Sequence, residues 1–310
     1  MKDPLRGSRV LVTGANGFIG RHLCRELSAL GARLAVMDRD PVTCPGKHTA
    51  QIGDMTDRAW VRRCIARIKP RFVFHLAAFK PRSARLEDFR PALDSNLMGT
   101  LNLLEPLAES AGLASVIVMG TADEYGSNPV PFREDQRPSP INVYSCSKIC
   151  MTTLAETMHA LYRLPVTVVR PTVAYGPGQG PDMLLPGMIV TLLDGKSFPM
   201  TRGGQTRDFI YIEDLIHGLL SVARCTRAAG TVLNLSSNAP VSIKDVARRV
   251  QGMIGRGRVR FGAVPYRVNE TMHYAADNAR ARKLTGWRPR VPLEEGLRRT
   301  IDWFSRERSA

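Results

Sequence analysis

Val10-Leu11-Val12-Thr13-Gly14-Ala15-Asn16-Gly17-Phe18-Ile19-Gly20 is the stretch that decides the fold. An apolar, largely β-branched run gives way to glycines spaced GxxGxxG, and a helical pattern comes next around Arg21–Leu30. That order reads as a buried strand, a tight turn and a helix N-terminus. Glycines there let backbone N–H groups approach a pyrophosphate, whose charge the helix N-terminus favours. The spacing predicts a dinucleotide seat made by Gly14, Asn16, Gly17, Phe18, Ile19 and Gly20. Asp38 ends the second strand, 18 residues after Gly20. A carboxylate at that point accepts hydrogen bonds from an adenosine ribose and repels a 2′-phosphate, so NAD is expected rather than NADP. Arg39 beside it is able to receive a 2′-phosphate, which leaves NADP open.

Outward from this loop, short apolar runs alternate with helical patterns. Strands are expected at Arg9–Thr13, Leu34–Met37, Phe72–His75, Val116–Met119 and Val166–Val169, with helices at Arg58–Ile68, Ala92–Ala111 and Tyr144–Leu161. Buried strands separated by helices imply a doubly wound parallel α/β sheet with right-handed crossovers. After Arg170-Pro171 the texture changes. Residues 176–187 and 196–204 are rich in Gly and Pro and read as loops bordering a cleft. Thr231–Leu235 reads as a strand, and Val241–Met253 and Leu293–Phe304 as amphipathic helices. A smaller C-terminal region packed on the sheet is expected.

Composition narrows the function classes. The chain has 310 residues, with 44 Lys+Arg against 28 Asp+Glu and a formal net charge of +16. Its apolar runs, such as Leu184–Leu193 with its Pro and Gly, fall far short of the ~20 residues that span a bilayer. Met1–Arg9 leads into the first strand without a signal-peptide core, so a cytoplasmic protein is expected. The basic residues, 36 of them Arg, are spread along the chain without a run of like charge or interleaved aromatics. Nucleic acid is therefore not the expected partner. From Lys244 onward there are 16 basic and 7 acidic residues, so +9 of the charge lies in the last fifth. The six cysteines include no CxxC pair and no His/Cys cluster at zinc spacing; reduced thiols and no metal are expected.

The chemistry is carried by Tyr144-Ser145-Cys146-Ser147-Lys148, which places a phenol and an ammonium at i and i+4 on one helix face. A phenol near pKa ~10 is a poor base at neutral pH, and a nearby ammonium together with a positive nicotinamide ring stabilises its phenolate. Thr121, in Met119-Gly120-Thr121-Ala122-Asp123-Glu124-Tyr125-Gly126, lies past the C-terminal end of a strand, where parallel sheets hold ligands. Its hydroxyl is placed to hydrogen-bond a substrate oxygen.

With these motifs the chain resembles, over nearly its whole length, the extended short-chain dehydrogenases/reductases of the NAD-dependent nucleotide-sugar epimerase/dehydratase family. The resemblance extends to Gly53–Asp57, Phe74–Lys80, Ser95–Thr100, Arg170–Pro177, Gln205–Tyr211 and the segment Trp287-Arg288-Pro289…Leu293–Leu297. It implies a Rossmann unit over 1–170 and 208–238 and a substrate-binding region over 171–207 and 239–310. Thr121, Tyr144 and Lys148 would form the catalytic set. Asp54 and Met55 would meet adenine, and Leu76, Ala77, Ala78, Lys80 and Asn96 would line the cofactor. The substrate would be a nucleoside-diphosphate sugar, its diphosphate held by Arg207 and by Arg267 of Tyr266–Glu270. Such enzymes pair as homodimers through Ala92–Ala111 and Tyr144–Leu161.

The family divides by the step taken after oxidation at carbon 4. Dehydratases carry an acid/base pair immediately after the Ser/Thr, and here those positions are Ala122 and Asp123. Ala122 transfers no proton. Asp123, or Glu124 if the loop shifts by one residue, remains as a lone acid/base. Lys80 matches an epimerase lysine, while Val173 replaces the usual Asn of the Arg-x-x-Asn-x-Tyr-Gly segment. Epimerisation at carbon 4 is the leading expectation, ahead of 4,6-dehydration and 4-keto-sugar reduction.

Overall fold

Strands with apolar residues on both sides must be covered by helices on both faces. The computed structural model describes residues 3–44, 46–81, 85–267 and 270–308. In chain order it begins β1 (Arg9–Thr13), α1 (Phe18–Ala29), β2 (Arg33–Asp38), β3 (His48–Ile52), α2 (Arg58–Ile68) and β4 (Phe72–His75). Next come α3 (Phe89–Leu93), α4 (Gly99–Ala108), β5 (Ser115–Met119), α5 (Val143–Tyr162) and β6 (Val166–Pro171). With Val232–Leu235 these strands make one seven-stranded parallel sheet, ordered Val232–Leu235, β6, β5, β4, β1, β2, β3. Alternate residues face opposite layers. Val12, Phe74 and Ile117 join one apolar cluster, and Leu11, Val73 and Val116 the other. The strand order reverses between β1 and β4, so a crevice opens at their C-terminal ends, the place where such sheets bind ligands.

Four expectations are corrected. The helix expected over Ala92–Ala111 is three pieces: α3, a π-helical turn at Asp94–Met98, and α4. The turn carries Asn96 inward, and uniform 3.6-residue periodicity does not anticipate it. The helix expected from Val241 begins at Ile243. Val241–Ser242 pair antiparallel with Thr206–Arg207, and Ser242 caps the helix by accepting from the Asp245 N–H at 3.0 Å. Within the expected loop 196–204, Ser197–Met200 is a strand parallel to Arg258–Phe261. Leu184–Leu193, which begins inside the expected loop 176–187, is a helix. The unexpected strand β3 is half exposed and lacks apolar alternation, so it carries no pattern to read. No helix among the described residues is long and apolar enough to cross a membrane.

Candidate active site

The crevice is lined first by the glycine loop. Gly14 turns with φ of +71°, and a Cβ there would lie 2.7 Å from the Ala77 nitrogen. A Cβ on Gly20 would overlap the Gly14 carbonyl and lie 2.9 Å from the Ala15 Cα. These two positions require glycine because β1, α1 and the β4 end meet there. Helix α1 starts after Gly17 with no side-chain cap and no acidic residue in its first turn. Its orphan N–H groups thus suit an incoming diphosphate. Phe18 and Ile19 form that first turn and are partly buried.

Asp38 closes the loop from the far side. Its carboxylate accepts from the Asn16 N–H at 2.9 Å and the Arg39 N–H at 2.8 Å. Asn16 in turn donates to Pro41 O at 3.0 Å and accepts from Thr43 N–H at 3.1 Å, fixing the segment beyond β2. Arg39 is exposed beside it. Asp54 is exposed and accepts from the backbone and hydroxyl of Thr56. Met55 packs against α4, with its carbonyl accepting from Asn102. Among the described residues, no three His, Cys, Asp or Glu groups are placed to hold a metal ion.

The β4 end is organised by a buried imidazole. His75 bridges Thr13 Oγ1 at 2.7 Å and Thr100 Oγ1 at 2.9 Å. Thr100 already donates to Asn96 O at 2.6 Å, so His75 Nε2–H donates to Thr100 and Nδ1 accepts from Thr13. Thr13 accepts from the Ala77 N–H at 3.2 Å, which fixes the backbone at Leu76–Ala78. Burial, and secondarily the Lys148 charge, push the His75 pKa down from 6.5 to about 3. Between those values the unfolded chain binds a proton that the folded chain refuses. The contribution is therefore full above pH 6.5 and is lost as pH falls, by at most about 1.4 kcal/mol per pH unit. The stability gap between the wild type and His75→Gln should accordingly narrow from pH 7.5 to pH 5 in urea titrations. A constant gap would show that the imidazole takes up a proton in the fold as readily as in the unfolded chain.

Asn96, expected to touch cofactor, has both of its N–H groups taken up by the protein. It donates to Phe79 O and Ser147 Oγ, each at 2.8 Å, and accepts from Phe79 N–H at 2.7 Å. It ties the segment bearing Lys80 to α5. Lys80 is exposed, with its ammonium 5.2 Å from the Tyr144 ring centre.

Helix α5 starts cleanly because Asn142 accepts from the Ser145 N–H at 2.8 Å, which sets Tyr144 in the first turn. Lys148 is buried, donates to Met119 O at 2.8 Å and lies 5.8 Å from the Tyr144 ring centre. Burial lowers its pKa to about 8, opposed by the Glu124 charge. Tyr144 departs from expectation: burial, with the charges of Asp123 and Glu124, holds its phenol well above the ordinary value in the ligand-free protein. Lys148 does not by itself make a base of it.

Thr121 comes directly after Gly120 at the end of β5 and is buried, its Oγ1 accepting from Asp123 N–H at 3.2 Å. Ala122 is buried and Asp123 half-buried. Glu124 does not face the crevice: it is fully buried and paired with Arg170. Asp123 instead accepts from the hydroxyl of Tyr274 at 2.8 Å. Sequence reading missed Tyr274, which the Phe132–Ala276 bridge brings across some 150 residues to Thr121. The Arg207 guanidinium lies 5.7 Å from the Tyr274 ring centre, donates to Thr271 O at 2.8 Å and pairs with Glu270. Arg207, Glu270 and exposed Arg267 line a cavity of about 440 Å³ that also takes in Val173, Phe198 and Met200. Val268 and Asn269 of the Arg267 segment lie outside the described residues.

Known proteins share this geometry. The sequence profile of the NAD dependent epimerase/dehydratase family matches residues 10–236. A UDP-glucuronate 4-epimerase of Thermodesulfobacterium geofontis is 33% identical over 234 residues, covering 74% of this chain and 71% of that protein. A dTDP-glucose 4,6-dehydratase of Streptomyces griseus is 32% identical over 321 residues, covering 97% and 95%. The structure of MoeE5 in complex with UDP-glucuronic acid and NAD superposes with a TM-score of 0.88 at 30% identity, over 96% of this chain and 99% of that one. Glycine loop, switch-point crevice and profile agree, and the chain belongs to the NAD dependent epimerase/dehydratase family.

Proposed function

We propose that the protein interconverts nucleoside-diphosphate hexoses epimeric at carbon 4 through a 4-keto sugar. Bound NAD supplies the hydride acceptor and donor and a positive charge beside the phenol. Tyr144 takes the proton of the C4 hydroxyl at its phenolic oxygen and returns it when the carbonyl is reduced. Lys148 and Lys80 add positive charge around the ring, which favours the phenolate. Thr121, whose Oγ1 already accepts from Asp123 N–H, has its own proton to donate to the sugar oxygen. Residues 171–207 and 239–310 would hold the substrate, and 1–170 with 208–238 the cofactor.

The observation that carries epimerisation is the arrangement after Thr121. Ala122 is a buried methyl and Glu124 is locked beneath the site, so Asp123 is the one carboxylate of the segment left half-buried. Elimination across carbons 5 and 6 needs both an acid and a base. The half-buried Asp123 is also what favours the second reading, 4,6-dehydration with one carboxylate in both roles. Incubation with UDP-glucuronate, UDP-glucose and dTDP-glucose, monitored by product mass and NADH absorbance, separates them. Epimerisation leaves the mass unchanged without net NADH; a product lighter by one water establishes dehydration, and NADH formed in step with a product lighter by two hydrogens a 4-keto-sugar reductase running in reverse.

Arg207 and Arg267 would grip the diphosphate, with the substrate displacing Glu270 from Arg207. Arg207→Met should raise KM roughly 10–100-fold, from the ~1.5–3 kcal/mol of a charge-assisted hydrogen bond, with kcat changed far less. An unchanged KM would remove Arg207 from the substrate site. Val173 offers no hydrogen bond where an Asn would, so the substrate pose differs locally from that of relatives with Asn. Exposed Leu86, Phe89 and Met98 near α3 and Leu161 on α5 support a homodimer across these helices, for sedimentation equilibrium to test. Six free thiols suit a cytoplasmic setting.

A further inference from the structure

Beneath the reacting groups lies a buried ion pair that the proposed reaction does not use. The Glu124 carboxylate is 0% exposed and each oxygen is committed. Oε1 accepts from the Thr121 N–H at 2.9 Å. Oε2 accepts from Arg170 Nε at 2.9 Å and the Thr152 hydroxyl at 2.8 Å, with Arg170 Nη2 in ion-pair contact at 2.7 Å. Thr152 is one turn beyond Lys148 on α5, and Met119, whose carbonyl holds the Lys148 ammonium, is two residues before Thr121. One carboxylate therefore joins the end of β5, the helix carrying Tyr144 and Lys148, and β6.

We infer that Glu124 is a positioning residue which locks Thr121 to the Tyr144/Lys148 helix and holds negative charge under Lys148. The inference rests on the proposed roles of Thr121, Tyr144 and Lys148. Removing a water-excluded charge this close to an ammonium is felt strongly, because little solvent screens it. The groups facing this cluster are few. Neutral His75 approaches from β4 and Lys80 from the segment after it; Asp123, Tyr125 and Arg170 complete the surroundings. Burial pushes the Glu124 carboxyl up, while the Arg170 charge and the Thr121 N–H pull it back; a guanidinium that donates from Nε and touches through Nη2 keeps the pair ionised. Burial pulls Lys148 down and the Glu124 charge raises it. The same charge raises Tyr144. Neutralising Glu124 therefore lowers both, and an activity bell set by these two groups moves as a whole to lower pH.

The test is a titration of Lys148 in the ligand-free protein, by NMR of side-chain-labelled lysine, in the wild type and Glu124→Gln. The midpoint should fall by about one pH unit in the variant. Glu124→Gln strands Arg170 and can fail to fold. Glu124→Gln with Arg170→Met removes the pair together and still lacks the carboxylate; its displacement should keep the same direction and be smaller, because a positive charge leaves with the negative one. A midpoint unmoved in the folded variant would overturn the inference, whatever substrate the enzyme uses. In kinetics the kcat bell should shift to lower pH, whereas a merely structural role lowers kcat at every pH without moving it. Loss of the reaction assignment shows separately, as turnover surviving Tyr144→Phe while the Lys148 midpoint still moves.

Discussion

Tyr144→Phe is expected to lower kcat by about 10²–10⁴-fold, the range a positioned acid/base contributes, while NAD binding and the thermal midpoint stay close to wild type. The reason is local. Tyr144 sits in the first turn of α5, partly buried, and its hydroxyl has no part in the helix cap made by Asn142 and Ser145. The ring stays near Lys80 and Lys148, so removing one oxygen leaves the packing in place. Because burial and the Asp123 and Glu124 charges hold the phenol up in the ligand-free state, activity in the wild type should also rise with pH through an acid limb. That limb reports the phenol in the loaded enzyme and should vanish from any residual Tyr144→Phe activity. Near-wild-type turnover in the variant would assign the proton transfer to another group.

Gly20→Ala should damage both the fold and the dinucleotide seat severely. The new Cβ would overlap the Gly14 carbonyl and sit 2.9 Å from the Ala15 Cα, both rigid backbone. Neither neighbour is the end of a flexible side chain, so α1 must move away from β1. Overpacking of this kind costs about 3 kcal/mol. It also displaces the orphan N–H groups of Phe18 and Ile19 from the crevice. The wild type should gain about 2.7 kcal/mol of stability from NAD at a hundredfold excess over Kd; the variant should gain almost none. Differential scanning fluorimetry with and without NAD measures both effects. Wild-type protection in the variant would place the dinucleotide elsewhere than the Gly14–Gly20 loop.

Apart from β3, the sheet was legible because its strands are short buried apolar runs set off by helical patterns, which the sequence records locally. Arg9–Thr13, Arg58–Ile68 and Phe72–His75 fall where the pattern puts them. The C-terminal third was less so. Val241–Ser242 and Ser197–Met200 are strands because distant segments, Thr206–Arg207 and Arg258–Phe261, lie beside them, and no local periodicity records such a partner. The π-helical turn at Asp94–Met98 escaped for a related reason, since what stabilises Asn96 there is hydrogen bonding to Phe79 and Ser147.

By itself the sequence determined the doubly wound fold, and residue types at short, regular spacing put forward the glycine seat with Asp38 opposite it and Thr121, Tyr144 and Lys148 as the candidate catalytic set. It also put forward Asp123 as a lone acid/base, with Glu124 in its place if the loop shifts by one residue. Only the tertiary structure separated them. Arg170 from β6 and Thr152 from α5 draw Glu124 into the interior, while Tyr274, some 150 residues along the chain, holds Asp123 at the crevice. The difference lies in long-range partners for adjacent side chains, and adjacency in sequence carries no information about which of two neighbours a fold will bury.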